Sequence, residues 1–229
     1  MANEIISYLE MCRREGVSLQ RGMNFGLGGS HSVILMSLRP NAPYQDRLED
    51  DGSTLIYEGH DIPRNQLCTD PKSIDQPERT STNKLTQNGK FFLAANAYKS
   101  HERMAERVRV YEKLRDGIWS YNGVFHLIDA WKASDGKRLV FSFKLIAVEG
   151  EEDFSVPASV NPERRRIIPT SVKLQVWARD KGKCVVCQAE DELHFDHILP
   201  FSKGGTSLMV ENVQLLCARH NLEKSDKIV

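Results

Sequence analysis

Apolar and polar positions change their period along the chain. Residues 3–15 place Ile5, Ile6, Leu9 and Cys12 near helical spacing and predict an amphipathic helix. Beyond it the pattern shortens. The runs HSVILMSL (31–38), STLIYEG (53–59), RVRVYEKL (107–114), VFHLIDAW (124–131) and RLVFSFKLIAV (138–148) are rich in β-branched and aromatic residues, with turn signals such as SDGK between them. Such runs predict strands of a mostly β unit. Between the second and third of them, LTQNGKFFLAANAYKS (85–100) reads as a helix and 60–84 as a long loop. After Val148 the text EGEEDFSVPASVNPERRR turns acidic, then proline-containing, then basic, with little periodicity, and reads as a linker over 150–166. PTSVKLQVWARDKGK then predicts a helix with Thr170 or Ser171 as N-cap and Val172, Val176 and Trp177 on its apolar face. The expected organisation is therefore one domain over 1–149 and a smaller one over 167–229.

Composition supports that division. A chain of 229 residues, 40% hydrophobic and 27% charged, can bury two modest cores. Lys plus Arg and Asp plus Glu number 31 each, so any contact with nucleic acid must use local patches and not a global positive field. The start, MANEIISYLEMCRREG, mixes charges among apolar residues and has neither a basic lead nor an unbroken apolar run. It fits neither a signal peptide nor a membrane span, and an intracellular protein is expected. Cysteine usage points the same way. The count of five is odd, and Cys184, Cys187 and Cys217 cluster near the C-terminus, which suits a metal site better than a disulfide framework, with Cys12 and Cys68 as ordinary thiols.

The sharpest motif is CVVC (184–187), followed some thirty residues later by CARH (217–220). Two short knuckles offer four ligands to a tetrahedral ion, so Cys184, Cys187, Cys217 and His220 form a closed Cys₃His set expected to hold a structural Zn²⁺. Between the knuckles lies ELHFDHILPFSKGG, with Asp196 and His197 at the end of a short apolar run, and then ENVQLLCARHNLEK. An imidazole suits general-base work near neutral pH, and His197 is the candidate. His194 reads as a structural or phosphate contact, Asn212 as a loop-pinning residue or a helix cap, and Gly204 and Gly205 as turn residues.

These strings resemble the HNH, or ββα-metal, nuclease motif. The resemblance covers roughly the last sixty residues, and the chain departs from the pattern at His220, where a cysteine is usual, and at Asn221, where a second histidine often stands. It implies a metal-dependent DNA endonuclease with His197 as base, Asn212 among the catalytic residues, and Asp196 and Asn221 holding a catalytic Mg²⁺ or Mn²⁺.

The first domain carries its own strings: YQDRLEDDGSTLIYEGHD (44–61), NKLTQNGKFFLAANAY (83–98) and RVRVYEKLRDGIWSYNGVFHLIDAW (107–131). Taken in order they resemble the SRA domain, a family that flips modified cytosines out of duplex DNA, with Asn122 where the aspartate of a Tyr-Asp-Gly triplet is usual. The resemblance implies Tyr44 and Tyr57 as the stacking faces for the flipped base. Asp46 would be the carboxylate that accepts from its N4 amino group, with Glu49 as a rival. Arg107 and Arg109 fall on one sheet face, most simply a solvated one, and Arg164, Arg165 and Arg166 are the better electrostatic candidates for DNA.

Together these readings predict an α+β chain: an SRA-like β-barrel with flanking helices and a small zinc-stapled HNH domain. The expected function is a modification-dependent endonuclease that reads 5-methylcytosine or 5-hydroxymethylcytosine in double-stranded DNA. It would be cytoplasmic in a bacterium, without membrane contact, and a homodimer where both strands are cut. A non-cutting reader with a structural zinc module, and a nicking or repair nuclease, are the alternatives.

Overall fold

A computed structural model describes residues 3–49, 53–64, 68–148, 168–200 and 203–224. The expected linker over 150–166, including Arg164, Arg165 and Arg166, lies outside them. The fold is mixed α+β. Its strands are β1 (Glu4–Ser7), β2 (Met23–Leu27), β3 (His31–Met36), β4 (Arg47–Glu49), β5 (Thr54–Glu58), β6 (Glu106–Arg115), β7 (Ile118–Ser134), β8 (Leu139–Ala147), β9 (Leu193–His197) and β10 (Val213–Cys217). The helices are α1 (Tyr8–Glu15), α2 (Gln87–Lys99), α3 (Thr170–Arg179) and α4 (Ala218–Lys224). Among the described residues no helix is long and apolar enough to cross a membrane.

All ten strands belong to one hydrogen-bonded sheet. Its larger part runs β4-β5-β8-β7-β6-β3-β2, antiparallel except for the parallel β3–β6 pair. These strands wrap a single core. Met23, Ile34, Leu55, Val108, Phe125 and Phe143, each from a different strand, share one cluster with Phe91 and Ala95 of α2. No ladder joins β2 to β4 among the described residues, so the wall has a seam there.

The N-terminal segment corrects the predicted helix over 3–15. Residues 4–7 are strand, and the helix begins only at Tyr8, where a capping box fixes it. Ser7 Oγ accepts from the Glu10 amide at 3.3 Å and the Glu10 carboxylate accepts from the Ser7 amide at 3.0 Å. Adjacent apolar residues upstream suit a strand covered on both faces. Ile6 is buried with Met11 and Tyr121, while Ile5 packs against Phe195 and Leu215 in one cluster and Leu193 and Leu216 in another. β1 therefore pairs with β7 on one side and meets β9 on the other, the Phe195 amide donating to Asn3 O at 3.1 Å.

A second joint is polar. The predicted N-cap at Thr170 or Ser171 is also corrected. Pro169 occupies the cap without a side-chain bond, and Thr170 Oγ1 instead donates to Glu112 of β6. Lys173, one turn on, is fully buried, 2.9 Å from Glu112 Oε2 and 2.7 Å from Asn122 Oδ1, while Asn122 Nδ2 donates to Glu112 at 3.0 Å. Asn122 thus gives Lys173 an acceptor and Glu112 a donor. An aspartate there would lose the donor and set two carboxylates against each other, which accounts for the departure from Tyr-Asp-Gly. Breaking a buried pair by removing one partner costs about 3–5 kcal/mol, so this joint holds α3 firmly against the large sheet.

Candidate functional site

The four knuckle residues converge at one end of the β9–β10 hairpin. Cys184 and Cys187 sit in a tight turn after α3, where the Gln188 amide donates to Cys184 O and the Cys184 amide donates to Ala189 O. Cys217 ends β10, and His220 follows in the first turn of α4. Their ligand atoms all lie within 4.8 Å of one another. The Cys187–Cys217 sulfur separation is 3.8 Å, and His220 Nδ1 is 3.5 Å from Cys184 Sγ and 3.3 Å from Cys217 Sγ. Zn–S bonds of about 2.3 Å and Zn–N bonds of about 2.0 Å put tetrahedral edges at roughly 3.8 Å for S–S and 3.5 Å for S–N, so the cluster fits a Zn²⁺ ion. Burial raises the Cys184 thiol, but the N–H groups of Cys187, Cys217 and Val186, together with His220, outweigh it and bring its pKa down to about 6. The thiolate a metal needs is thereby favoured near neutral pH.

At the other end of the hairpin stand Asp196 and His197, opposite Gln214 and Val213 in register. His197 Nε2 is 2.9 Å from Ser207 Oγ. Asn212 is no helix cap; it staples the intervening loop. Its Oδ1 accepts from the Leu199 amide at 2.8 Å, and its Nδ2 donates to Thr206 O at 2.9 Å and to Leu199 O at 3.2 Å. The loop closes tightly enough that a Cβ on Gly205 would sit 1.9 Å from Leu199 O and 2.9 Å from Asn212 Nδ2, so glycine is required there.

Sequence reasoning missed Lys224. Its ammonium donates to His197 O at 2.6 Å and lies 2.9 Å from Asp196 Oδ2, at an angle that leaves this buried oxygen without a hydrogen bond. Asn221, one helical turn before Lys224, shares its face of α4, the helix that packs on β9. Lys224 thus occupies the Asp196 oxygen as an ion pair, and a divalent cation taken by Asp196 would have to displace the ammonium. The Asn-x-x-Lys spacing was the available signal for Lys224. His194 is buried in the register position facing Glu4, and its Nδ1 has no protein partner.

A cavity of about 800 Å³ opens near the seam of the large sheet, between the loop leading into β2, the end of β3 and the start of β4. Tyr44, Asp46 and Tyr57 all line it, and Glu49 does not. Glu49 instead pairs with Arg47 at 2.8 Å on the exposed edge strand. Asp46 bridges the seam, accepting from the amides of Ser37 and Glu58 at 3.1 Å each. Burial raises its pKa to about 7 against the pull of those two amides. Tyr57 is 1% exposed, a core residue whose hydroxyl alone reaches the cavity side, 2.9 Å from His60 Nε2. Tyr44 is half-buried and stacks on His60. Arg109 is not the solvated group expected, because it reaches buried Glu15 at 3.2 Å.

The match that decides the C-terminal part is in sequence: the model of the HNH endonuclease family fits the chain from the first knuckle cysteine onward. Residues 184–227 match the HNH endonuclease family. The matched stretch contains both knuckles, Asp196, His197, Asn212 and Asn221. No curated protein sequence matches the chain. Among solved structures, the chain is similar to the SUVH5 SRA domain in a complex with hemi-methylated CG DNA, at 21% identity and a TM-score of 0.45, over 68% of this chain and 93% of that one. Arabidopsis thaliana SUVH6 matches at 17% identity and a TM-score of 0.41, over 66% of this chain and 26% of that one. The Type IV phosphorothioation-dependent restriction endonuclease ScoMcrA matches over 99% of this chain and 55% of its own, at 14% identity and a TM-score of 0.43.

Proposed function

We propose that this chain is a modification-dependent DNA endonuclease, in which an SRA-like unit over 1–149 reads a flipped 5-methylcytosine or 5-hydroxymethylcytosine and the HNH module over 167–229 hydrolyses a nearby phosphodiester bond. The observation that carries the reading is the pairing, within one continuous sheet, of a nuclease hairpin bearing Asp196 and His197 with a cavity lined by two tyrosines and a carboxylate. Cytosine recognition needs an aromatic face and an acceptor for N4, which Tyr44 and Asp46 would supply, with the Tyr57 hydroxyl beside them.

In the cleavage step His197 receives the proton of the attacking water. Its Nε2 lies 2.9 Å from Ser207 Oγ, a contact that orients the ring. Asp196 and Asn221 would hold the hard divalent ion, Mg²⁺ or Mn²⁺, which when bound neutralises charge developing on the phosphate and the leaving 3′ oxygen. Products with 5′-phosphate and 3′-hydroxyl ends follow. One such site cuts one strand, so a double-strand break calls for two copies of the chain, and a bacterial cytoplasm is the setting in which such an enzyme would meet foreign DNA.

Asp46 supplies the test. A carboxyl with a pKa of about 7 is mostly neutral at pH 6 and mostly ionised at pH 8, and the ionised form is the better acceptor for N4. Affinity for a modified duplex should therefore rise about tenfold over that interval, following the ionised fraction. Binding that rests on phosphate contacts alone has no reason to rise. Asp46→Asn, which keeps one acceptor oxygen but does not titrate, should flatten the profile. Salt-matched titrations from pH 6 to pH 8 give the answer, and an unchanged profile in Asp46→Asn would remove Asp46 from base reading.

A further inference from the structure

The ring of Tyr44 already has two close neighbours. Lys72, from the long loop after β5, places its ammonium 4.1 Å from the ring centroid and is itself tied to Asp61 at 3.1 Å and Glu58 at 3.8 Å. The His60 imidazole lies nearly parallel to the same ring, with centroids 5.1 Å apart and planes 16° from each other. His60 also meets Tyr57, with centroids 6.1 Å apart and the hydroxyl bond already described. An aromatic ring thus stands in contact with both tyrosines that line the cavity.

The two neighbours are not equivalent. The cavity is lined by His60 and not by Lys72, so a base arriving through it meets the imidazole. The backbone of His60 is pinned by Asn88 of α2, whose Oδ1 accepts from the His60 amide at 2.8 Å and whose Nδ2 donates to His60 O at 2.8 Å. Among the described residues its ring has one hydrogen bond, to Tyr57. The backbone is thus held at both ends of the peptide, and the ring by one bond. The wall behind the ring is shaped for it, since a Cβ on Gly22 would fall 2.7 Å from both His60 Nε2 and Tyr57 Oη.

We propose that His60 is a gate of the cavity: its ring occupies a face of Tyr44 in the free protein, and an incoming base must displace it. This rests on the base-reading function proposed above. The imidazole is a flat aromatic ring, smaller than a pyrimidine, and its stack on Tyr44 competes directly with the base's. Every base loses the same amount in that exchange. The exchange therefore sets how tightly any base is held, and only a base with an added contact, such as the 5-substituent against the cavity wall, offsets it enough to stay in the slot.

The test uses the full chain made cleavage-deficient by His197→Ala, with and without His60→Ala, and two duplexes that differ only in one 5-methylcytosine. Emptying the slot should tighten binding to the methylated duplex by roughly tenfold, the size of one ring-on-base stack. Because the loss is common to every base, the preference over the unmodified duplex should stay nearly the same. Weaker or unchanged binding to the methylated duplex overturns the proposal, since His60 would then be a base contact or a bystander. Should His60→Ala fail to fold, as a melting curve reports, His60→Phe decides. A larger ring in the slot should weaken methylated-duplex binding by about tenfold, and unchanged affinity there overturns the proposal equally. If the protein with His60 intact binds both duplexes alike, the base-reading function fails, whatever the His60 variants do.

Discussion

Replacing His197 by alanine should abolish DNA cleavage while leaving binding nearly intact. The imidazole ends β9, opposite Val213, and is only partly buried, so its loss removes no core packing. What goes is the group that takes a proton from water, held by Ser207 Oγ at 2.9 Å. Loss of a general base costs about 10²–10⁴-fold in rate. Single-turnover cleavage of a modified duplex, with affinity measured in parallel, checks both halves of the expectation. A wild-type rate would remove His197 from the chemistry, and lost affinity would make its role structural.

The second large effect is on folding. Cys184→Ser should unfold the hairpin of β9 and β10 together with α4, because a serine oxygen is a poor substitute for the buried thiolate at the centre of the Cys₃His cluster. Structural zinc contributes roughly 10–16 kcal/mol to small zinc-folded peptides, comparable to the entire stability of a typical domain at about 5–15 kcal/mol. Amide exchange should accelerate across residues 193–217 while β6, β7 and β8, which share the other core, stay protected. Zinc content should fall in the variant. A chain that carries no zinc and keeps full hairpin protection in strong chelator would contradict the site.

The parts of the molecule legible in sequence are those fixed by local spacing. The knuckles at 184–187 and 217–220 announce a tetrahedral site because two ligands per tight turn is a short-range rule, and the long β-branched runs became β3, β5, β6, β7 and β8 for the same reason. β2 and β4 escaped notice. MNFGL contains a glycine and RLE is three residues long, so neither alternates long enough to register. The helix over 3–15 was overextended because Ile5 and Ile6, apolar and adjacent, satisfy helical spacing as readily as a strand buried on both faces. The burial of Lys173 was not legible, since nothing local reveals that Glu112 and Asn122, from distant strands, close around it. His60 was hidden likewise. Its stack on Tyr44 depends on a loop returning over the seam, and no periodicity encodes that.

The account stands on one claim, that the cavity near the seam directs the HNH module. The most direct measurement is the cleavage rate on three versions of a single duplex, carrying cytosine, 5-methylcytosine or 5-hydroxymethylcytosine at one position, with Mg²⁺ or Mn²⁺ present and salt held constant. Cutting of at least one modified duplex well above the unmodified one, lost in His197→Ala, is the predicted result. Equal cutting of all three would leave a nuclease with no guide, and cutting of none would leave a reader of modified DNA that does not cleave it.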